Sequence, residues 1–340
     1  MENKAHYFLA GFFPEEIVDV FHLEKSFQGL QIYKWIANGT KDFSDMTNLS
    51  KPLREKLAKD GILRSSHVTQ KLVDPDGTIK LQITLYDGSC VETVLLIDDK
   101  ERKTACVSCQ VGCGMGCAFC MTGRLGFSRN LFAAEIVEQF LYLEEIVGKL
   151  DNIVFMGMGE PMLNLKEIRK AIAILTDKRG RNLSGRRITI STSGVIQGIY
   201  DLADNGPHVR LAVSLTCANQ ELREKIMPIA KTNTLPELKK AILYFIEKTG
   251  KRCTLEAALM KNVNTSNESA QELVNFAKNM DVHVNLIPWN PIEILPFQEP
   301  TTQECKNFLK YLDKNNITVT IRTKRGRKIG GACGQLGKLT

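Results

Sequence analysis

The 340-residue chain carries 45 Lys and Arg against 38 Asp and Glu, for a formal charge of +7, and 43% of it is hydrophobic. No uncharged apolar run is long enough to span a bilayer, which excludes a membrane-spanning class. The start, MENKAHYFLAGFFPEE, meets acids too early for a secretory signal. Ten cysteines without such a signal point to a reducing, cytoplasmic compartment and to metal or redox chemistry instead of a disulfide framework.

Residues 1–64 carry helical signals. Phe13-Pro14-Glu15-Glu16-Ile17 opens one segment, Leu30, Tyr33, Trp35 and Ile36 mark a second that Asn38-Gly39 ends, and Leu53 to Leu57 follow Ser50-Lys51-Pro52. They read as a small accessory domain with Tyr33 and Trp35 in its core. Over 65–100 the texture changes to alternation with turn signals at Asp74-Pro75-Asp76-Gly77 and Asp87-Gly88, a β-hairpin or meander. Its last strand includes Cys90-Val91-Glu92-Thr93-Val94, where alternation alone would put Glu92 on a solvent face.

Cys106 to Phe127, CVSCQVGCGMGCAFCMTGRLGF, holds five cysteines within fifteen residues. Cys113, Cys117 and Cys120 form C-x-x-x-C-x-x-C with Phe119 before the last. Three thiolates on one loop can hold three irons of a four-iron cluster and leave the fourth open to substrate. The alternative is a structural zinc site, which wants four closed ligands, and no histidine lies in the loop. Of the rest, Cys90, Cys109, Cys217, Cys253 and Cys305 read as small buried hydrophobes, with Cys109 the one thiol placed to compete with its neighbours.

From Thr104 on, strand and helix alternate. Strands are expected at 104–108, 152–156, 187–192, 209–215, 252–259, 283–288 and 317–323, and helices at 133–147, 165–175, 236–248, 269–280 and 302–314. Asn164-x-x-Glu167 and Thr301-x-x-Glu304 look like capping boxes. The pattern predicts an α/β fold with parallel strands and right-handed crossovers. With six or seven units a barrel would be incomplete, spanning 101–325 and leaving 326–340 as a carboxyl-terminal loop. Loops after the carboxyl ends of such strands build the site. There stand the cysteine loop, Gly157-Met158-Gly159-Glu160, Ser191-Thr192-Ser193-Gly194, Ser214-Leu215-Thr216 and Trp289-Asn290-Pro291. Glu160, an acid on a glycine turn, suits an ammonium. Two basic runs, Lys178 to Arg187 and Arg322 to Lys328, contain no acid; they read as solvated faces or as phosphate contacts that position RNA.

The cysteine spacing resembles the radical S-adenosylmethionine (SAM) superfamily. Its flanks CVSCQVGC, GFSRNL, MGMGEPMLNL, IPWNP and ACGQL, which with Glu92 span Glu92 to Gln335, resemble the RlmN/Cfr family of RNA adenine methyltransferases. The resemblance implies a partial (β/α)6-type radical SAM barrel, an RNA-binding amino-terminal domain and one [4Fe-4S] cluster on Cys113, Cys117 and Cys120. It implies SAM contacts from Gly159, Glu160, Ser191, Ser214, Leu215, Thr216 and Asn290. Relatives commonly have His where this chain has Thr216. Two SAM molecules are expected per turnover, one as methyl donor and one as radical source, with electrons from a carrier such as flavodoxin or ferredoxin. The expected substrate is 23S rRNA, with tRNA as a further candidate, and the protein is expected to be a monomer.

The chemistry accounts for two further thiols. A carbon between two ring nitrogens of adenine is too electron-poor to attack the methyl of SAM, whereas a thiolate can attack it. By resemblance, Cys333 takes the methyl first, and a radical formed on that carbon then adds to the ring. Glu92 accepts the ring proton, and Cys106 takes up the Cys333 sulfur in a disulfide that frees the RNA. The carbon 2 (RlmN) and carbon 8 (Cfr) branches share these motifs, and CVSCQVGC favours carbon 2. A non-catalytic, metal-bearing RNA-binding protein is the rival from another class.

Overall fold

In the computed structural model, which describes residues 7–337, Pro14 occupies the first turn of α1 (Pro14–Val20), where its missing N–H costs nothing. The ends of the first and last expected segments, 1–6 and 338–340, lie outside the described residues. After a short strand β1 (Tyr7–Phe8) and α1 come α2 (Ser26–Ala37), α3 (Lys51–Asp60) and β2 (Gly61–Ile62), which pairs with β1. Tyr33 is buried as expected, and its hydroxyl donates to Ile174 O at 3.0 Å, fastening this helical unit to the barrel. Trp35 is only half-buried, its indole N–H donating to Asn48 Oδ1 at 2.7 Å.

The meander is three antiparallel strands, β3 (His67–Val73), β4 (Ile79–Thr84) and β5 (Cys90–Ile97). It continues into the barrel sheet, because β5 pairs antiparallel with β6 (Lys103–Cys106). A short antiparallel pair follows, β7 (Gln110–Cys113) and β8 (Gly126–Asn130), which the sequence reading did not separate from the cysteine loop. Then come α4 (Ala133–Val147), β9 (Asn152–Phe155), α5 (Leu165–Thr176), β10 (Ile188–Thr192), α6 (Ile196–Asn205), β11 (Arg210–Ser214) and α7 (Gln220–Ile226). The chain continues through α8 (Leu235–Thr249), β12 (Cys253–Leu259), α9 (Asn267–Ala277), β13 (Val282–Pro288), α10 (Thr302–Lys314) and β14 (Val319–Ile321).

Strand order is β14-β13-β12-β11-β10-β9-β6-β5-β4-β3, with β6 and β9 to β14 mutually parallel. The order ends in β14 on one side and β3 on the other, so the seven parallel strands form a partial barrel with an antiparallel extension. Its main core runs through the barrel, and a separate apolar cluster that includes Met227, Met260 and Trp289 packs beside the cysteine loop. Phe140 of α4, Phe155 of β9 and Phe245 of α8 are fully buried, and truncating any of them would cost about 3–5 kcal/mol.

One of the two expected capping boxes forms. Thr301 Oγ1 accepts from Glu304 N and Glu304 Oε2 accepts from Thr301 N. Asn164 makes no side-chain cap on α5. Its amide donates instead to Cys109 O and Leu131 O, both at 2.9 Å, and Glu167 accepts from Ala133 N at the start of α4. The pair ties the loop after β6 to two helices, a tertiary use that local spacing does not reveal. The helices α6 and α7 were not anticipated. Among the described residues, no helix is long and apolar enough to cross a membrane.

Candidate active site

Cys113 closes β7, and Cys117 and Cys120 lie on the turn that returns to β8. The tight hairpin requires Gly112: at φ +73 a Cβ there would sit 1.9 Å from Gly126 O. Cys120 N donates to Cys117 O at 3.1 Å, Ala118 N donates to Ile226 O of α7 at 2.9 Å, and the Trp289 indole donates to Phe119 O at 2.9 Å. The loop is thus held from both sides. Burial pushes all three thiols up, Cys113 to about 11, so binding a metal there would release protons. Among the described residues no three His, Cys, Asp or Glu side chains converge as they would around a single ion. The three thiols instead spread along the wall of one cavity of about 180 Å³, which suits a larger group with soft-ligand chemistry.

That cavity collects most of the expected cofactor contacts: Gly159, Glu160, Ser191, Ser214, Thr216 and Asn290. Gly159 has φ +106, and a Cβ would come within 2.9 Å of Cys109 Sγ, so only glycine lets this turn close. Glu160 is buried; Oε2 accepts from Ser193 N at 2.8 Å and Ser193 Oγ at 2.7 Å, and Oε1 accepts from Met162 N at 3.1 Å. Burial raises its pKa, opposed by these donors, and a cationic ammonium would restore its charge balance. Asn290 donates to Cys333 O at 3.1 Å and leaves Oδ1 buried without a partner. Three soft thiols, an oriented carboxylate and an orphaned acceptor fit a thiolate-held cluster with a bound amino-acid sulfonium. Leu215 is not brought to this wall; it is fully buried, and its carbonyl accepts from Arg223.

Cys333 lines both this cavity and a smaller one of about 50 Å³, whose wall also includes Cys106, Met156, Arg322 and Leu336. Two thiols 227 positions apart in the chain therefore share a wall. Burial pushes the Cys106 thiol up to about 12; Cys333 adds to the shift and Arg322 opposes it. The carboxyl-terminal loop is stapled in place by Met121 N to Gly334 O at 2.7 Å, Thr122 Oγ1 to Leu336 O at 2.6 Å and Gln335 Nε2 to Pro291 O at 2.9 Å. Glu92 lines neither cavity. It is buried on β5, against the alternation pattern, with Oε1 paired to Lys80 Nζ at 2.7 Å and Oε2 accepting from Gly337 N at 2.6 Å.

The basic runs are less free than they read. Arg179 pairs with Glu15 and Asp177, Arg181 with Glu144, Lys324 and Arg327 with Glu299, and Arg325 with Asp99. Apart from Asp177, which immediately precedes the first run, the acids come from distant parts of the chain, so a run without acids in sequence is partly neutralised in space. Arg322 is half-buried and turned into the small cavity, with Nη1 3.8 Å from Met156 Sδ. Cys90 is half-buried at a hairpin end, not in the core; Cys109, Cys217, Cys253 and Cys305 are buried as read. Sequence reasoning missed Glu256 as well, a buried acid on β12 that lines the larger cavity and accepts from Asn285. An acid in the apolar strand CTLEAAL was the available signal.

The family model described as the radical SAM superfamily matches residues 107–277. A second, described as the ribosomal RNA large subunit methyltransferase N-terminal domain, matches residues 10–62. The chain is 60% identical over 329 residues to a protein of Treponema denticola named "Probable dual-specificity RNA methyltransferase RlmN", covering 97% of this chain and 95% of that one. It is 56% identical over 330 residues to a protein of the same name from Treponema pallidum, covering 97% of each. The crystal structure of a radical SAM methyltransferase from Sphaerobacter thermophilus superposes with a TM-score of 0.93 at 38% identity, covering 96% of this chain and 98% of that one.

Proposed function

The chain belongs to the RlmN family of radical SAM RNA methyltransferases, and from that premise we propose that it methylates carbon 2 of an adenine in 23S rRNA, with tRNA as a second substrate. Cys333 carries the methyl group and Cys106 closes a transient disulfide. The observation that carries this reading is Cys333's position on the walls of both cavities, with Cys106 on the smaller one.

Each side chain has a task in this reading. Cys113, Cys117 and Cys120 hold the cluster, which when bound supplies the electron that splits SAM. Glu160 binds the ammonium of the methionyl group with its two oxygens already oriented by Ser193 and Met162. Asn290 offers Oδ1 to a donor of the cofactor while its amide fixes the Cys333 carbonyl. Ser191, Ser214 and the Thr216 backbone frame the remaining polar groups, and Leu215 stays off the wall with its carbonyl held by Arg223. Cys333 accepts a methyl from one SAM, and a second SAM is consumed in activating it. Glu92 takes the ring proton once the Gly337 amide has moved off it. Cys106, as its thiolate, then bonds to the Cys333 sulfur; the electron pair of the breaking sulfur–carbon bond stays on the RNA carbon, which takes up a proton to become the methyl group, and the Cys106–Cys333 disulfide is left for an external reductant.

Nucleoside mass spectrometry of rRNA and tRNA from cells with and without the gene tests the reading. Loss of a 2-methyladenosine from 23S rRNA is expected; loss of an 8-methyladenosine instead would overturn the carbon 2 assignment.

A further inference from the structure

The cysteine loop turns two bare glycines to solvent. Gly114 and Gly116, on either side of Met115 between Cys113 and Cys117, are both exposed. On one flank the β7–β8 pairing sets Gly112 opposite Phe127, and a Cβ on Gly114 would lie 3.5 Å from the Phe127 Cβ. Phe127 itself is 52% exposed. On the other flank a Cβ on Gly116 would lie 3.7 Å from Cγ of the exposed Pro228. Pro228 follows the carboxyl end of α7, where Ile226 O accepts from Ala118 N at 2.9 Å.

Charge along this rim has one sign. Arg124, Lys225 and Lys231 are exposed, and among the described residues none of them pairs with an acid. The chain has no acid between Glu101 and Glu135, and none between Glu224 and Glu237. Asp87 and Glu135 are held by Arg129, Glu224 accepts from Gln220, and Glu221 lies in the first turn of α7, at the end away from the loop.

Glycine leaves the backbone bare, so a partner's surface can come closer to the stretch between two of the three thiols than a side chain would allow. Radical SAM chemistry draws its electron from outside the chain, and electron transfer weakens steeply with distance. A small apolar contact ringed by unpaired cations suits a brief encounter with an acidic partner, since electron-transfer complexes bury little surface and opposite charges speed association. We propose that this rim, with Phe127 and Pro228 beside the bare glycines and Arg124, Lys225 and Lys231 around them, is the docking surface for an acidic one-electron carrier protein of the flavin or iron–sulfur class. One electron passes from the reduced carrier to the cluster; the carrier is oxidised by that electron, and no bond is made or broken. The proposal rests on the reading that Cys113, Cys117 and Cys120 hold a cluster.

The test uses the full chain, reconstituted anaerobically, with iron measured per chain. 5′-Deoxyadenosine formation without RNA is followed with two reductants: dithionite, which needs no docking, and a flavodoxin kept reduced by its NADPH-dependent reductase. Calorimetry reads flavodoxin binding, and gel shift reads RNA binding. Arg124→Glu combined with Lys225→Glu is expected to keep iron and dithionite-driven cleavage at the wild-type level. The same variant should weaken flavodoxin binding and flavodoxin-driven cleavage by about tenfold, and added salt should weaken wild-type binding in the same direction. Phe127→Ser should lower flavodoxin-driven cleavage alone; if it fails to load iron, the charge-reversed variant decides. Equal losses with both reductants, wild-type binding that salt does not weaken, or flavodoxin binding unchanged by charge reversal overturns the proposal. Lost RNA binding with flavodoxin-driven cleavage intact also overturns it and gives the rim to RNA. Wild-type protein that binds zinc and no iron would instead overturn the cluster reading itself.

Discussion

Gly337 donates its amide hydrogen to Oε2 of Glu92 at 2.6 Å, across 245 positions of sequence. The other oxygen of Glu92 is paired with Lys80 at 2.7 Å, and both side chains are almost wholly buried. The loop that carries Cys333 therefore also occupies the proposed proton acceptor. A shift of that loop would take the Gly337 donor off Oε2, so the methyl carrier and the base respond to one movement.

The ion pair gives the first prediction. Lys80→Met leaves a buried carboxylate with a single N–H donor and should destabilise the folded chain by about 3–5 kcal/mol. Lys80→Met combined with Glu92→Gln should lose less than the sum of the single changes, because neither variant group is then an unpaired charge. Urea denaturation under reducing conditions reads both. Additive losses would mean that the pair is not coupled.

Changing any one of Cys113, Cys117 or Cys120 to Ala should abolish cluster assembly and SAM cleavage together. All three thiols line the same wall, and two cannot hold a cluster that keeps one iron open. Visible iron–sulfur absorbance and 5′-deoxyadenosine formation are the readouts. Normal cleavage by any of these variants would place the ligands elsewhere.

Thr216 has φ +61, and its backbone is pinned by Glu256 O at 3.0 Å and Asn264 Nδ2 at 3.0 Å. A β-branched residue is poorly suited to that left-handed conformation, whereas His and Asn adopt it more readily. Thr216→His should therefore be tolerated, with SAM affinity changing by less than tenfold, or about 1.4 kcal/mol. A larger loss in equilibrium binding would show that the Thr216 side chain itself contributes to the cavity.

The strand ends carrying Glu160, Ser191, Ser214 and Asn290 were legible in sequence because strand–helix alternation fixes which loops share a mouth. Glu92 was legible by position and not by environment. Alternation gives a side chain's face but not what covers that face, and the cover here comes from Gly337. Arg322 was read within a solvated basic run because the run continues past the short strand β14, while its side chain turns back into the barrel. Arg223, in QELREKI, looked like any charged residue on a polar helix. Its side chain turns onto the carbonyls of Ser193, Ser214 and Leu215, contacts between α7 and the ends of β10 and β11 that no local pattern encodes.

The Cys106 thiol, raised by burial from 9.0 to about 12, makes a pH prediction with a definite sign. Above pH 9 an unfolded chain releases this proton while the folded chain keeps it. Folding stability should therefore fall as pH rises toward 12, by about 1.4 kcal/mol per unit from this group. Cys106→Ala should show a shallower decline over the same window. Equal slopes in denaturation series from pH 8.5 to 10.5 would mean that the thiol is not shifted. In catalysis the direction reverses, since more thiolate speeds disulfide closure. Arg322→Gln, which removes the cation that opposes the shift, should slow that closure.

The two thiols of the small cavity should fail differently. Without Cys333 there is no methyl carrier, so Cys333→Ala should keep the iron–sulfur absorbance yet transfer nothing and form no adduct with RNA. Without Cys106 the carrier still loads and still bonds to the adenine, but no second thiol can take up its sulfur. Cys106→Ala should accumulate a protein–RNA species that survives denaturation, migrates as a shifted band and disappears on nuclease treatment. Cys109 could substitute only by leaving its present setting, since it is 2% exposed and packed against the Gly159 turn, with burial holding its thiol well above the usual range. Normal turnover by Cys106→Ala, abolished on adding Cys109→Ala, would show that it does so. If neither Cys106→Ala nor Cys333→Ala traps RNA and both behave alike, the shared wall of Cys106 and Cys333 has no part in release, and the two-thiol mechanism fails for this chain.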